Sequence, residues 1–374
     1  MHDVLIVGGG LCGLVAFRQL KHLDVLLLEA RPRLGGRIWT VQDEGAGHYD
    51  LGPAWFWPPH QEVFQLAEEL KIPYFEQYED GAALYERSGK VRKIANPQAD
   101  SVSYRLHGGT GALIRALQEQ LPTEKILLGR EVLKIEEKDG GVEVSAAVAG
   151  EDQSTRLYAK RVLVTLPPRL AARVHYSPQL PSSVLEVMHR TPTWMGNAMK
   201  VVVGYDLPPS SVPFWRQKQL AGYAISERGP CQQIHDHCSG EGVSMRRHAL
   251  FGWVDEDDPV KSLSKEERRL RVLEQLAQLF GEDAKEKVSF YQEQDWKADP
   301  YTHHPAEPEE RLRHHPRYGD AALAAPALNG KLFFGGTETA RRHGGFLAGA
   351  IASGLEVASR VLATLPEQTK SVTL

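Results

Sequence analysis

The chain is short of cysteine, of long apolar runs and of net charge, and each shortage removes a class of protein. Three cysteines in 374 residues, Cys12, Cys231 and Cys238, form no secreted-type disulfide framework, so a reducing compartment is expected. No uninterrupted apolar stretch reaches the roughly 20 residues that cross a bilayer. No basic leader with an apolar run and a small-residue cleavage site precedes the first hydrophobic segment either. Val4 to Val7 instead runs straight into glycine and reads as a first core strand. The expectation is a cytoplasmic protein with no membrane partner. The formal net charge is -4, with both signs interspersed. A basic cluster at Arg311, Arg313, His314, His315 and Arg317 follows directly on Glu307, Glu309 and Glu310, so nothing favours nucleic acid or another polyanion. Nothing in the composition fixes the oligomeric state.

Glycine, in contrast, is concentrated near the two ends. Gly8-Gly9-Gly10-Leu11-Cys12-Gly13 follows the Val4–Val7 run, and Gly335-Gly336-Thr337-Glu338-Thr339 precedes the last long apolar segment. In the first cluster, Gly8 permits a tight turn after the strand and Gly10 removes a side chain that would block a pyrophosphate. Gly13 lets helix and strand approach. A helix over 14–20 and a buried strand over 24–29 complete a βαβ unit, whose second strand ends on Glu29. A carboxylate there can accept hydrogen bonds from adenosine ribose hydroxyls and would repel a 2′-phosphate. A purely structural glycine turn is the bland alternative.

Along the chain, a helix over 61–70 stops at Pro73, and short hairpins are expected between Tyr74 and Tyr104. A helix over 112–120 precedes a hairpin pairing 132–136 with 142–144 through Lys138-Asp139-Gly140-Gly141. A buried strand over 161–166, a charged helix over 264–280, a strand over 331–334 and a helix over 345–362 follow. The length suits two domains. The expected class is α/β, a Rossmann-type dinucleotide domain with an interleaved α+β substrate domain. Residues 1–72, 105–175 and 318–374 would form the first, and 73–104 and 176–317 the second.

The segment Glu29-Ala30-Arg31-Pro32-Arg33-Leu34-Gly35-Gly36-Arg37 resembles the signature of the flavin-dependent amine oxidases. Gly335-Gly336-Thr337-Glu338-Thr339-Ala340 and Gly344-Gly345-Phe346-Leu347-Ala348-Gly349-Ala350 resemble that family's C-terminal flavin segment. Between them, Gly196-Asn197-Ala198-Met199-Lys200-Val201-Val202 is similar to its lysine-bearing strand. Asp295-Trp296, followed by Asp299-Pro300-Tyr301-Thr302, is similar to its tryptophan motif. The matches span nearly the whole chain in the family's order.

The resemblance implies that Gly8, Gly10, Gly13 and Glu29 hold the ADP half of FAD, with Gly36 and Gly336 as glycines of the two flanking motifs. Arg37 would approach the pyrophosphate, the Val132 backbone would meet the adenine, and Glu338 would lie near the ribityl and pyrophosphate portion. The backbone at Leu347 would face the flavin pyrimidine edge, where a helix start places favourable positive potential. Lys200 would stand beside flavin N5 with a water, and Trp296, Phe346 and Phe56 would shape the pocket. Each has a bland reading: Arg37 on the surface, Glu338 as a helix cap, Lys200 snorkelling to solvent, and the aromatic residues in the core.

Two departures qualify the resemblance. Phe346 keeps a ring but no phenol at one of the family's two aromatic positions, and the register places Ala306 at the other. The cysteine that attaches flavin covalently in some members is missing, which implies non-covalent FAD. The histidines and cysteines over 231–238 and 303–315 have no recognised structural-zinc spacing, so no metal is expected. The resulting expectation is an FAD-dependent oxidase that converts an amine to an imine, with oxygen as acceptor and hydrogen peroxide as product. An FAD-dependent desaturase and a flavin-binding scaffold with little turnover remain open.

Overall fold

Uninterrupted apolar strands build the first sheet, because a strand covered on both faces has no polar side to show. The computed structural model describes residues 1–43, 47–149, 154–208, 211–240, 248–254, 259–305 and 314–366. The expected residues Ala306, Glu307, Glu309, Glu310, Arg311 and Arg313 lie outside them. The strand His2–Val7 runs parallel between Val25–Glu29 and Ser154–Val164. Its side chains alternate between two cores. Val4 and Ile6 pack with the helices Leu11–Leu20, Gly111–Glu119 and Leu347–Thr364, while Leu5 and Val7 pack with Ala171, Val187 and Met188 on the opposite face.

Ser154–Val164 is shared along its length. Its first half pairs antiparallel with Gly141–Val148, and Val162–Val164 pairs parallel with the distant strand Leu332–Phe334. The hairpin Arg130–Lys138/Gly141–Val148 has His175–Ser177 on its outer edge, and Ile126–Leu128 borders Val25–Glu29. The result is an eight-stranded sheet flanked by helices, the Rossmann-type α/β arrangement expected. Residues 176–190 also pack in the core on this sheet's other face, through Tyr176, Leu180, Val187 and Met188. The segment just past the expected 175/176 boundary thus buries these side chains against the first sheet's face.

A second, seven-stranded sheet contains Val288–Asp295, Met199–Tyr205, His248–Val254, Cys231–Asp236, Leu220–Ser226, Ala82–Arg87 and Lys90–Ile94, in that order. The last two form a hairpin through Ser88 and Gly89, both at positive φ, as a tight primed turn requires. Tyr74–Glu76 pairs instead with Tyr104–Leu106. Along Met199–Tyr205, Met199, Val201, Val203 and Tyr205 face a core shared with the helix Lys265–Phe280. Alternation turns Lys200 and Val202 the other way, toward Phe251 and the segment from Tyr49 to Leu51.

By length and composition the helix Leu347–Thr364 is apolar enough to cross a membrane, although Glu356 and Arg360 interrupt its sequence. Here Ile351, Val357, Ala358 and Val361 pack against the Leu11–Leu20 helix in the first core. The three cysteines are buried and none is in a disulfide.

The close approach at Gly13 yields a direct test. A Cβ there would sit 2.0 Å from the Gly8 carbonyl oxygen, and no side-chain rotation relieves a clash with backbone. Gly13→Ala is expected to destabilise the protein by about 1–3 kcal/mol and to weaken flavin retention. Urea unfolding checks this; an unchanged midpoint would mean the helix can retreat from the strand without loss.

Candidate functional site

A cavity of about 580 Å³ lies at the carboxyl ends of the parallel strands of the first sheet, where Val7, Leu28, Thr165 and Gly336 contribute to its wall. The wall has two chemically distinct parts. The polar part includes Glu29, Arg31, Arg130 and Val132; the aromatic part includes Trp57, Trp194, Trp296, His315 and Phe346.

In the polar part, the buried Glu29 carboxylate accepts the Gly9 N–H at 2.7 Å and the Arg31 N–H at 2.9 Å. Each oxygen retains a lone pair. The Arg31 guanidinium donates to Asp299 at 2.8 and 3.3 Å and to Thr302 Oγ1 at 2.8 Å, tying the tryptophan motif to the second strand. Arg33 donates to the carbonyls of Leu34, Gly36 and Ile38 and so shapes the Gly35-Gly36-Arg37 turn. The Gly35 N–H donates to the Gly9 carbonyl at 2.8 Å, laying that turn beside the first glycine cluster. Arg37 reaches the buried Glu338, with Nη1 2.6 Å from Oε1, which joins the two ends of the chain across the cavity wall.

The cavity fits FAD on two structural grounds. A Cβ on Gly10 would meet nothing within 4 Å, so this glycine leaves open space where a phosphate must come close to backbone. Two helices also begin on this wall, at Leu11 and Leu347, and neither has a side-chain cap. Their first-turn N–H groups and dipoles offer two sites for negative charge, suited to a pyrophosphate and to an electron-rich ring.

In the aromatic part, Phe346 stacks on His315 with centroids 4.9 Å apart and planes 7° from parallel. Trp194 approaches the same imidazole at 5.0 Å, and His60 and Trp57 border Phe346 at 5.1 and 6.0 Å. Burial, reinforced by His343, lowers His60 to about 4, so its imidazole is neutral around pH 7. The Trp296 indole N–H donates to the Leu51 carbonyl at 2.9 Å.

Of the residues singled out in the sequence, Gly8, Gly10, Glu29, Gly36, Arg37, Val132, Gly336, Trp296, Phe346 and Leu347 lie on the wall. Gly13 lies behind it at the helix–strand contact, and Glu338 lies behind Arg37. Lys200 is fully buried and also stands behind the wall. Its ammonium donates to the Gly52 carbonyl at 3.1 Å and sits 4.0 Å above the Phe251 ring, while Gly52, Trp55 and Trp253 face the cavity. Burial, with Arg105 adding to it and Asp50 opposing, lowers Lys200 to about 7. It does not snorkel.

Phe56 is a correction. Its ring packs in the first core against Phe64 and Tyr104 at 4.9 and 5.8 Å, and its backbone pairs with Tyr104. Its neighbours Trp55 and Trp57 face the cavity instead, because alternate residues of this extended segment point opposite ways. Sequence reasoning missed Trp194, and it read His315 as part of a basic cluster and of a histidine-bearing loop without metal-ligand spacing, not as a wall of the cavity. Neither has a local pattern that signals a pocket; they meet Phe346 only through tertiary contacts. Cys231 and Cys238 belong to the second core, and the intervening His237 accepts the Asp50 N–H at Nε2.

Comparison with known sequences agrees with this geometry. The pattern of the flavin containing amine oxidoreductase family matches residues 11–101 and 82–362. The chain belongs to that family. An L-amino acid dehydrogenase from Synechocystis is 26% identical, over 97% of this chain and 95% of that protein. Among solved folds, a putrescine oxidase bound to putrescine superposes with a TM-score of 0.77 at 23% identity, covering 97% of this chain and 99% of its own. A cyclohexylamine oxidase from Brevibacterium oxydans gives 0.78 at 20% identity with the same two coverages. The protein is an FAD-dependent amine oxidoreductase.

The Arg37–Glu338 pair can be tested without substrate. Arg37→Met would leave the Glu338 carboxylate buried without its guanidinium and should cost about 3 kcal/mol at pH 8. Adding Glu338→Gln should recover most of that loss. Denaturant unfolding of the two single variants and the double variant measures the coupling; additive losses would show that the two side chains do not depend on each other.

Proposed function

We propose that the protein oxidises a small-molecule amine at the aromatic part of this cavity, passes the electrons to oxygen and releases hydrogen peroxide. The observation that carries this reading is the meeting of an open helix start at Leu347 with Phe346, Trp296 and the layer in front of Lys200 on one cavity wall. FAD held there would supply the two-electron acceptor: a hydride equivalent would leave the amine α-carbon and a proton the nitrogen, giving an imine that water hydrolyses.

The chain's own residues have separate tasks. Gly8, Gly10 and Glu29 receive the ADP half, with Gly13 behind them setting the helix start close to the strand; Gly36, Arg37, Val132 and Gly336 lie along the remainder, with Glu338 behind them holding Arg37. Leu347 offers its backbone N–H to the flavin edge. Phe346 and Trp296 exclude water and orient the amine, and the neutral His60 borders Phe346 without adding charge. Lys200 supplies positive potential behind the wall. Cys231 and Cys238 are sequestered in the second sheet's core, and Cys12 meets the wall only at the first helix start, beside the ADP half, which supports dissociable rather than covalent flavin. We assign the flavin domain to 1–72, 105–175 and 318–374 and the substrate domain to 73–104 and 176–317, in a cytoplasmic protein.

Two measurements test this. Acid precipitation should release the yellow colour into the supernatant. Anaerobic mixing with a panel of amines and amino acids should bleach the flavin absorbance for at least one compound, and air should restore it with stoichiometric peroxide. Colour that stays with the precipitate would overturn non-covalent binding; a flavin that no amine bleaches would favour the scaffold.

Lys200→Met keeps much of the stem's packing but removes the charge. It should slow the reaction with oxygen by about tenfold or more while changing anaerobic reduction little. Because Lys200 titrates near 7, its charge is present below that pH and lost above it. The oxygen rate constant should therefore fall as pH rises through about 7 in the parent and stay flat in the variant. Stopped-flow measurement of both half-reactions decides; a parent profile that is equally flat would remove Lys200 from the reaction.

A further inference from the structure

Four consecutive residues, Asp50 to Pro53, provide the anchors for both Trp296 and Lys200. The Leu51 carbonyl accepts the Trp296 indole N–H at 2.9 Å, and the Gly52 carbonyl accepts from Lys200 Nζ at 3.1 Å. Both carbonyls follow the end of the short strand His48–Asp50, and both are taken by side chains from the second sheet's side of the cavity. Something else must therefore hold their directions.

The buried Asp50 carboxylate is placed to do this. Its Oδ1 accepts the Thr110 N–H at 2.9 Å, the Thr110 hydroxyl at 3.0 Å and the Thr40 hydroxyl. Thr40 Oγ1 in turn accepts the Gly111 N–H at 2.7 Å, so the start of the helix Gly111–Glu119 converges on one carboxylate. The Thr110 hydroxyl also lies 2.9 Å from the Pro53 carbonyl, sharing its single proton between the two ends of the segment. On the other side, the Asp50 N–H donates to His237 Nε2 at 3.0 Å, and the Leu51 N–H to the Trp39 carbonyl at 2.8 Å. At Gly52 the chain runs so close to the Gly35–Arg37 turn that a Cβ would stand 2.1 Å from the Arg37 carbonyl oxygen.

We propose that Asp50 is a positioning residue for amine oxidation, holding the Leu51 and Gly52 carbonyls in the directions that fix Trp296 and Lys200. This rests on the roles given above to those two side chains. Asp50 lies among the apolar and polar core of the Tyr49–Leu51 segment and acts only through its neighbours. A carboxylate that takes three donors is held more firmly than either carbonyl that takes one, so the latch is built from the firmer interaction.

The test uses the holoenzyme with tryptophan indole nitrogens labelled. Trp296→Phe identifies the Trp296 resonance, and Trp215, whose indole N–H bonds to Asp236 in the second core, reports on global opening. Asp50→Ala should speed exchange of the Trp296 indole proton by about tenfold or more while leaving that of Trp215 within twofold. Asp50→Asn, which keeps an acceptor without the charge, should fall between parent and Asp50→Ala. Thr110→Val keeps the carboxylate but loses the hydroxyl, and should move Trp296 in the same direction even where Asp50→Ala unfolds. In the oxygen half-reaction, Asp50→Ala should slow the parent but add nothing in a Lys200→Met background.

Unchanged Trp296 exchange in all three variants would overturn the proposal, as would equal acceleration of Trp215 and Trp296 in Thr110→Val. A slowing by Asp50→Ala that is as large without Lys200 as with it would overturn the part concerning Lys200. If Lys200→Met alone leaves the oxygen reaction unchanged, the role of the lysine fails, while the Trp296 exchange still judges Asp50.

Discussion

The contact of the Leu11–Leu20 helix with the strand His2–Val7 at Gly13 is the constraint on which the remaining geometry depends. With no Cβ between Gly13 and the Gly8 carbonyl, the helix starts directly above the sheet's carboxyl edge and its free N–H groups open on the cavity. The same helix is the bed for Leu347–Thr364, so its position also sets where the second uncapped helix start points. Two dipoles thereby converge on one space although their residues lie more than three hundred positions apart. Packing supplies this alignment; the dipoles follow from it.

Burial of charge is handled differently around the cavity. Arg37 and Glu338 neutralise each other across the junction of the chain's two ends. Arg31 does the same with Asp299, close to Glu29. Lys200 instead rests on a carbonyl and on aromatic faces, an arrangement that stabilises an ammonium only partly. Full burial then leaves its protonation balanced near neutrality, whereas the neighbouring imidazoles His235 and His237 are held neutral by burial. A charge so weakly compensated is costly for the fold and useful to a site that must stabilise transient negative charge.

Local sequence determined much about this protein. Continuous apolar runs at Val4–Val7 and over 24–29 specify buried parallel strands, because no polar side is available to face water. Gly8, Gly10, Gly13 and Glu29 define a dinucleotide turn by spacing alone, and Asp139-Gly140 defines the hairpin turn in the same local way. These signals act within a few residues, where backbone sterics and alternation dominate. The motifs around Arg37, Lys200, Trp296 and Glu338 were legible through their order along the chain, which carries the family but no distances.

Tertiary structure alone decided what the cavity is made of. Phe56 and its neighbours Trp55 and Trp57 are indistinguishable by composition, and only the pairing of Phe56 with Tyr104 sends the middle ring into the core. His315 enters the aromatic wall because the chain up to Tyr318 packs against Gly344 and Gly345, a contact that its neighbours in sequence do not signal. The buried state of Lys200 likewise depends on Gly52, Phe251 and Trp253, contributed by two other segments of the chain. The physical reason is one of range: turn geometry and strand alternation are settled by neighbours in the chain, whereas a side chain's solvent exposure, charge state and ring partners are settled by whichever distant segments close around it.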